Sequence, residues 1–167
     1  MVASTDQCIT CLVASDSQLF YLSAIYGSND RVDRRELWSH LFSLHGSLAQ
    51  KPWSLASDFN VIAHPSKSSN YTQVQSSDVK DFTKCIQQLA IFDHAYNGSL
   101  FTWSNRQKEG FNARKLDRVL INDNRLLFFS NSTMEFLPPG AYDHCPAVIQ
   151  LSQTTSSPPK PFKIFNF

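Results

Sequence analysis

Two β-prone apolar runs open the chain. Ile9 to Val13 and Leu19 to Tyr26 are β-rich runs, and Ala14-Ser15-Asp16-Ser17-Gln18 between them has turn composition, which predicts a hairpin. The pattern changes after Gly27. Ser28, Asn29 and Asp30 supply capping side chains, and Leu37, Leu41 and Leu44 then recur at helical spacing with Trp38 beside them. An amphipathic helix over Arg31–His45, closed by Gly46, follows from that pattern. Trp53–Phe59, after Pro52, reads as a short buried strand. Residues 64–77, Ser-rich with Pro65 and Asn70, read as a long loop. A second helix starts at Ser76 or Ser77 and carries one stripe of Val79, Phe82, Ile86 and Leu89.

Beyond it the elements shorten. Asn97-Gly98 marks a turn, and Leu100–Trp103 and Leu116–Ile121 look like strands bracketing a polar, basic loop. Asn122 or Asp123 caps a short helix over Asn124–Phe129. Thr133–Leu137 is a strand ended by Pro138-Pro139-Gly140, and Ala147–Leu151 is another. Residues 152–161 have linker composition, and Phe162–Phe167 is a final apolar segment. Strands and helices alternate, yet tight hairpins also occur. That mixture predicts an α/β (α+β) sandwich with mixed, largely antiparallel sheets over a doubly wound parallel sheet. Neither a dinucleotide fingerprint nor a P-loop is present.

Composition adds limits. The 167 residues fit one compact domain, and 13 phenylalanines within a 42% hydrophobic chain are enough for a core. With 15 basic and 14 acidic residues the net charge is +1, so affinity for phosphate rests on local clusters. No apolar run is long enough to cross a bilayer, and the first residues lack the pattern of a secretory signal. The expectation is an intracellular protein, nuclear or cytoplasmic, with no membrane partner. Cys8 and Cys11 form a C-x-x-C, but no second pair lies at zinc spacing, and a strand would turn the two thiols to opposite faces. Structural, reduced cysteines are expected.

Two segments can carry chemistry. Asp58 and Asn60 lie at i and i+2 at the end of a strand, so both side chains are expected on one face. A carboxylate there orients a water or binds a metal, and an amide donates to a phosphoryl oxygen without adding negative charge. Asp and Asn are equally at home in a strand-end turn, and the D-x-N alone does not choose. Asp143-His144 changes the weighing. A histidine held by a carboxylate stays protonated near neutrality, ready to stabilise a phosphorane or donate a proton. Asp117, on a neighbouring strand, is placed to orient it, and Asp143 to ligand a metal. Basic residues cluster after Trp103, where Arg106, Lys108, Arg114 and Lys115 surround a loop containing Phe111. These are candidates for nucleic-acid contact or ordinary solvated charge.

In order, the blocks Ala24-Ile25-Tyr26-Gly27-Ser28-Asn29, Ser57-Asp58-Phe59-Asn60-Val61-Ile62, Phe101-Thr102-Trp103, Lys115-Leu116-Asp117-Arg118-Val119-Leu120 and Tyr142-Asp143-His144-Cys145-Pro146 resemble the endonuclease/exonuclease/phosphatase (DNase I-like) superfamily. Within it the chain looks most like the endonuclease domain of plant LINE-type retrotransposons, and Pro161–Phe167 resembles the segment leading toward the reverse transcriptase. The resemblance implies a partial DNase I-like sandwich over 1–151, with 152–167 as linker and tail. It also implies that Tyr26 contacts the scissile phosphate with Asn29 near it, that Asp58 aligns the water, and that Asn60 binds phosphoryl oxygen. Asp117 would orient His144, Asp143 would assist the metal or water, and His144 would stabilise the transition state. Magnesium or manganese would be the cofactor, DNA the partner, and the ancestor a fusion to a reverse transcriptase.

Three departures temper these implications. Ser57 stands where the family has glycine, and Tyr142, bulkier and potentially intrusive, where it has serine. The family also opens with strands carrying an asparagine and a metal-binding glutamate. Here only seven residues are expected before the first strand, and no Glu occurs before Glu36. Weak metal binding, an uncovered sheet edge and a remnant with little or no activity are the expectation. Completion by a partner, or a non-catalytic nucleic-acid-binding scaffold, are the alternatives.

Overall fold

The computed structural model describes residues 1–15, 18–70 and 76–151. Part of the expected hairpin turn, part of the Ser-rich loop and the whole tail from 152 lie outside them. The hairpin itself forms from β2 (Cys8–Ser15) and β3 (Gln18–Tyr26), antiparallel from Cys8↔Ile25 to Ser15↔Gln18. A strand the apolar pattern does not predict precedes it. β1 (Ala3–Thr5) pairs with β2 although its residues are small and polar; backbone hydrogen bonds hold it, not burial. The chain therefore enters the sheet at residue 3 and not at the hairpin.

Helix α1 (Arg31–Leu48) is capped by Asp30, whose carboxylate accepts the Val32 and Asp33 N–H groups. Gly46 does not end it. The helix runs on to Leu48, only 2% exposed, and burial of that side chain outweighs the cost of an interior glycine. β4 (Trp53–Asp58) follows, then a 3-10 turn at Pro65–Lys67 and helix α2 (Ser76–Gln88). Two short strands, β5 (Phe92–Asp93) and β6 (Asn97–Gly98), come next. The expected turn at Asn97-Gly98 is thus a strand. Glycine is needed at 98 because φ is +95° and a Cβ would run into the Phe136 carbonyl. Of the strand expected at Leu100–Trp103 only Trp103 takes part, in β7 (Trp103–Ser104), which pairs with β8 (Ala113–Arg114). The rest is β9 (Asp117–Ile121), α3 (Asp123–Phe128), β10 (Thr133–Phe136) and β11 (Ala147–Gln150). Asn122 caps α3 by accepting from Arg125 N–H, and the same oxygen accepts from Trp53 N–H, tying cap to sheet.

The strands form a six-stranded sheet in the order β1-β2-β3-β4-β9-β5, a three-stranded sheet β11-β10-β6 and the β7–β8 pair. Only β3–β4 and β6–β10 are parallel, so the sheets are mixed and largely antiparallel, as expected. One face of the large sheet packs on the helices. Leu37, Trp38 and Leu41 from α1 and Phe82, Cys85 and Leu89 from α2 meet Ile25, Trp53, Leu55 and Leu120. Arg31 and Arg34 on α1 bond Asp78 on α2, and Arg31 also reaches Asp81, which locks the two helices together. On the other face, Val119 and Ile121 meet Met134 and Phe136 of the small sheet, closing a second core with Cys145. All four cysteines are free.

The small sheet covers β4, β9 and β5 but not β2 and β3. Strand alternation turns Ile9, Cys11, Val13, Leu22 and Ala24 away from the helices. Ile9 and Ala24 are exposed, and Cys11, Val13 and Leu22 half-buried. A sheet face meant for water carries polar residues at such positions; here they are apolar and only partly covered among the described residues, since Phe20 on the same face is buried against Phe129 and Arg125 while Ile9 and Ala24 lie open.

A strained position and a buried charge make the stability of this fold testable. Ser57 has φ +101°, a conformation L side chains rarely adopt, so Ser57→Gly should raise unfolding free energy by about 1 kcal/mol in urea titration. Lys115 is buried against the Tyr96 ring at 3.5 Å, and burial pushes its pKa down to about 8 from 10.5. Between those values the unfolded chain holds the proton and the folded one does not, so stability should rise as pH climbs from about 8 toward 10.5. Lys115→Met should flatten that rise and stabilise the protein at pH 7 by roughly 2 kcal/mol.

Candidate active site

Register brings the first three site residues into line. β3 and β4 pair Tyr26 with Asp58, and β4 and β9 pair Asp58 with Asp117. Tyr26, Asp58 and Asp117 therefore stand in one row across three strands, on the sheet face away from the helices. Tyr26 is 69% exposed, whereas Asp58 and Asp117 are buried.

His144 joins them from the loop before β11. Its Nδ1 lies 2.8 Å from Asp117 Oδ2, and its Nε2 4.0 Å from Asp58 Oδ2. A carboxylate only accepts, so Nδ1 carries the hydrogen and Nε2 faces the cleft. Burial pushes the imidazole pKa down, but the hydrogen bond to Asp117 and the charges of Asp117, Asp58 and Asp143 outweigh it and hold it above the ordinary histidine value. Burial pushes Asp58 up. Its bond from the Asn60 N–H pulls it down, the Asp117 charge pushes it up again, and the net shift is upward.

Asn60 is not where a continued strand would put it. The strand ends at Asp58, and Asn60 adopts a left-handed conformation at φ +50°. Its N–H donates to Asp58 Oδ1 at 2.8 Å and its Nδ2 to the Gly27 carbonyl at 2.7 Å. The turn, not the alternation of a strand, brings both residues into the cleft, and one amide N–H already holds the neighbouring loop. Gly27 is required there, since a Cβ would stand 2.6 Å from the Phe59 carbonyl oxygen. The cleft is lined by Tyr26, Asn29, Asp58, Asn60, Arg114 and His144, with Arg34, Asp78, Trp103, Leu116 and Asp143 around them, and holds about 390 Å³, enough for a small ligand. Tyr142, 74% exposed, points away from this lining and does not crowd it.

Thr102, given no role from the sequence, and Arg34, which with Arg31 and Arg35 reads there as a basic cluster of solvated charge or DNA contact, both matter here. Thr102 is fully buried. Its hydroxyl accepts the N–H groups of Leu116 and Asp117, and its carbonyl accepts that of Cys145. One side chain and its own peptide thus fix both partners of the Asp117–His144 pair. Its place in the Phe101-Thr102-Trp103 block was the available signal. Arg34, 3% exposed, donates to the Ser28 and Asn29 carbonyls and holds the loop beside Tyr26.

The basic candidates separate. Lys115 is 1% exposed and cannot touch a nucleic acid; its amine is enclosed between the sheets by Tyr96 and Phe136. Arg106 donates to the Gly140 and Ala141 carbonyls and clasps that loop. Lys108 is exposed on the hairpin loop, and Arg114 lines the cleft.

A hard divalent cation needs several oxygen ligands, and the residues present do not provide them. No group of three or more His, Cys, Asp or Glu among the described residues is placed to hold a metal. The carboxylates near His144 are engaged elsewhere. Asp117 bonds the imidazole, Asp58 the Asn60 N–H, and Asp143 the Trp103 indole at 3.2 Å. Glu36 lies exposed on α1, away from the cleft lining.

No protein-family model and no curated protein matches the sequence. Solved structures do resemble the fold. The endonuclease domain of TRAS1, a telomere-specific non-LTR retrotransposon, superposes with a TM-score of 0.70 at 10% identity, over 91% of this chain and 66% of that one. Sphingomyelinase C from Streptomyces griseocarneus gives 0.52 at 12% identity, over 86% and 53%. A Staphylococcus aureus beta toxin variant with bound magnesium ions gives 0.50 at 12%, over 87% and 54%. The chain therefore has the DNase I-like fold, and it spans between about half and two thirds of these neighbours.

The Asp117–His144 bond predicts a titration. By proton NMR of the imidazole, Asp117→Asn should lower the His144 pKa by about 1 unit or more, because it removes both the acceptor and the charge that oppose desolvation. The stabilisation this pair gives the fold is full below the unfolded histidine pKa and is lost as pH rises through the raised folded value.

Proposed function

We propose that this chain is the histidine–aspartate portion of a metal-dependent phosphodiesterase directed at DNA, derived from the endonuclease of a plant LINE-type retrotransposon. In this reading the 167 residues alone turn over little or no substrate. The observation that carries it is the imidazole of His144, fixed through Nδ1 by Asp117 with Nε2 turned toward Asp58 across an open cleft. An endonuclease and a sphingomyelinase both cut phosphodiester linkages, and both share this fold.

The roles follow from the atoms. His144 places a proton on Nε2 beside the phosphoryl oxygens or the leaving oxygen. Asp58, held by the Asn60 N–H through Oδ1, presents Oδ2 to align a water. Asp117 keeps the imidazole in one tautomer, and Tyr26 and Asn29 border the phosphate position. Neutralisation of the phosphoryl charge is the missing part, since the described residues form no cation cage. A magnesium-bound neighbour supports metal dependence for the fold, and the third or more of such domains without a counterpart here, wherever encoded, would carry the ligands. Fusion to a reverse transcriptase and an intracellular location belong to the same reading.

A second reading, activity restored by a completing partner, is favoured by the partly exposed apolar face of β2 and β3, where Ile9 and Ala24 lie open among the described residues.

Nicking of supercoiled plasmid in magnesium or manganese tests the reading. The chain should give no more nicked product than Asp58→Ala or His144→Ala, and its melting temperature should move by less than about 1 °C with added magnesium. Robust nicking that both substitutions abolish would overturn the claim of inactivity.

A further inference from the structure

Among the described residues, six of the seven arginines are engaged. Arg31, Arg34 and Arg35 meet Asp78 and Asp81, and Arg118 and Lys115 meet Asp93. Arg106 holds two carbonyls, and Arg125 lies on the Phe129 and Phe20 rings. Arg114 differs. It lines the cleft with His144, yet its guanidinium makes no hydrogen bond or ion pair among the described residues, and its Nε is buried without a partner. Leaving such a donor unmet is costly. The backbone around it is fixed: Arg114 pairs with Trp103 across β7–β8, and Trp103 forms a bridge with His144. The backbone thus fixes Arg114 at the cleft, where its guanidinium donors find no partner among the described residues.

We infer that Arg114, together with His144, forms a metal-independent clamp for a phosphodiester group of a nucleic-acid strand, an inference that rests on the DNA reading above. The planar fork of an arginine matches two phosphoryl oxygens at once, and the His144 Nε2, held by the Nδ1 bond to Asp117, faces the same cleft as a further hydrogen-bonding partner. Of the acidic neighbours, Asp78 is neutralised by Arg31 and Arg34, Asp117 is tied to His144, and Asp143 keeps its charge while accepting from the Trp103 indole, so Arg114 has to hold a phosphate against one free carboxylate at the rim. Asp58 lines the cleft but is largely buried, with Oδ1 taken by the Asn60 N–H. Arg114 therefore sets retention of the strand, whether or not the linkage is cut.

Fluorescence anisotropy of a short labelled single-stranded oligodeoxynucleotide, with EDTA present throughout, tests the clamp. The chain should bind, more weakly as salt rises. Arg114→Gln should weaken binding roughly tenfold or more, the loss of charge-assisted bonds, and Arg114→Lys should lie between. Lys84→Gln, which removes the same charge from the exposed side of α2, should change it little, and inorganic phosphate should compete. Equal affinity of Arg114→Gln and the unaltered chain overturns the clamp. Binding that requires magnesium also overturns it but leaves the metal-dependent reading standing. Absence of binding with and without magnesium removes both. Circular dichroism of each variant confirms that a loss does not come from unfolding.

Discussion

The backbone ladder between β4 and β9 runs from Ser54–Ile121 to Asp58–Asp117, and both strands lie inside the six-stranded sheet. A slip of one residue would turn every side chain of one strand to the opposite face. Leu55 and Leu120 would leave the helix core, and Val119 and Ile121 would leave the core between the sheets. Burial on both faces therefore holds the register, and the register holds Asp58 beside Asp117. The site needs no separate device to bring its two carboxylates together; they stand at the end of a ladder that the cores align. Strain at Ser57 is tolerated there because the hydrogen bonds and packing on either side over-determine the strand.

Around this row, polar groups close the gaps between layers. Thr102 joins the peptide of Asp117 to that of Cys145, Asn60 joins the end of β4 to Gly27, and Arg34 joins α1 to the same loop. Each bond satisfies a backbone group that would otherwise be unmet near the cleft floor, and each fixes a residue of the site. Three carboxylates stand around one imidazole, and among the described residues they form no group placed to hold a metal.

Long elements were legible because their patterns repeat. The hairpin of β2 and β3, both long helices and β9 carry apolar residues at the period of their structure, and burial enforces that period. Elements of two or three residues were not legible. β1 has no apolar face, β5 to β8 are too short to show alternation, and each exists because a neighbouring strand offers a free backbone edge. Gly46 and Gly98 show the same limit from another side. Glycine permits a helix end or a turn, but tertiary burial of Leu48 and close approach of Phe136 decided what each does.

Asp58, Asn60, Asp117, Asp143 and His144 could be named from the sequence because their chemistry is local: two short motifs, each with a carboxylate and a partner. Long-range contact and burial are not local, and only the folded chain decided them. Lys115 sits one residue from Arg114 in a basic run, yet one amine is enclosed between sheets while the neighbouring guanidinium opens on the cleft. Alternation along the backbone sends adjacent side chains to opposite sides, and what waits on each side is set by strands far away in the chain. The sequence by itself determined the fold class and singled out Asp117 and His144. Tertiary structure determined that these two bond each other and which basic side chains open on the cleft, because burial depends on neighbours that no motif contains.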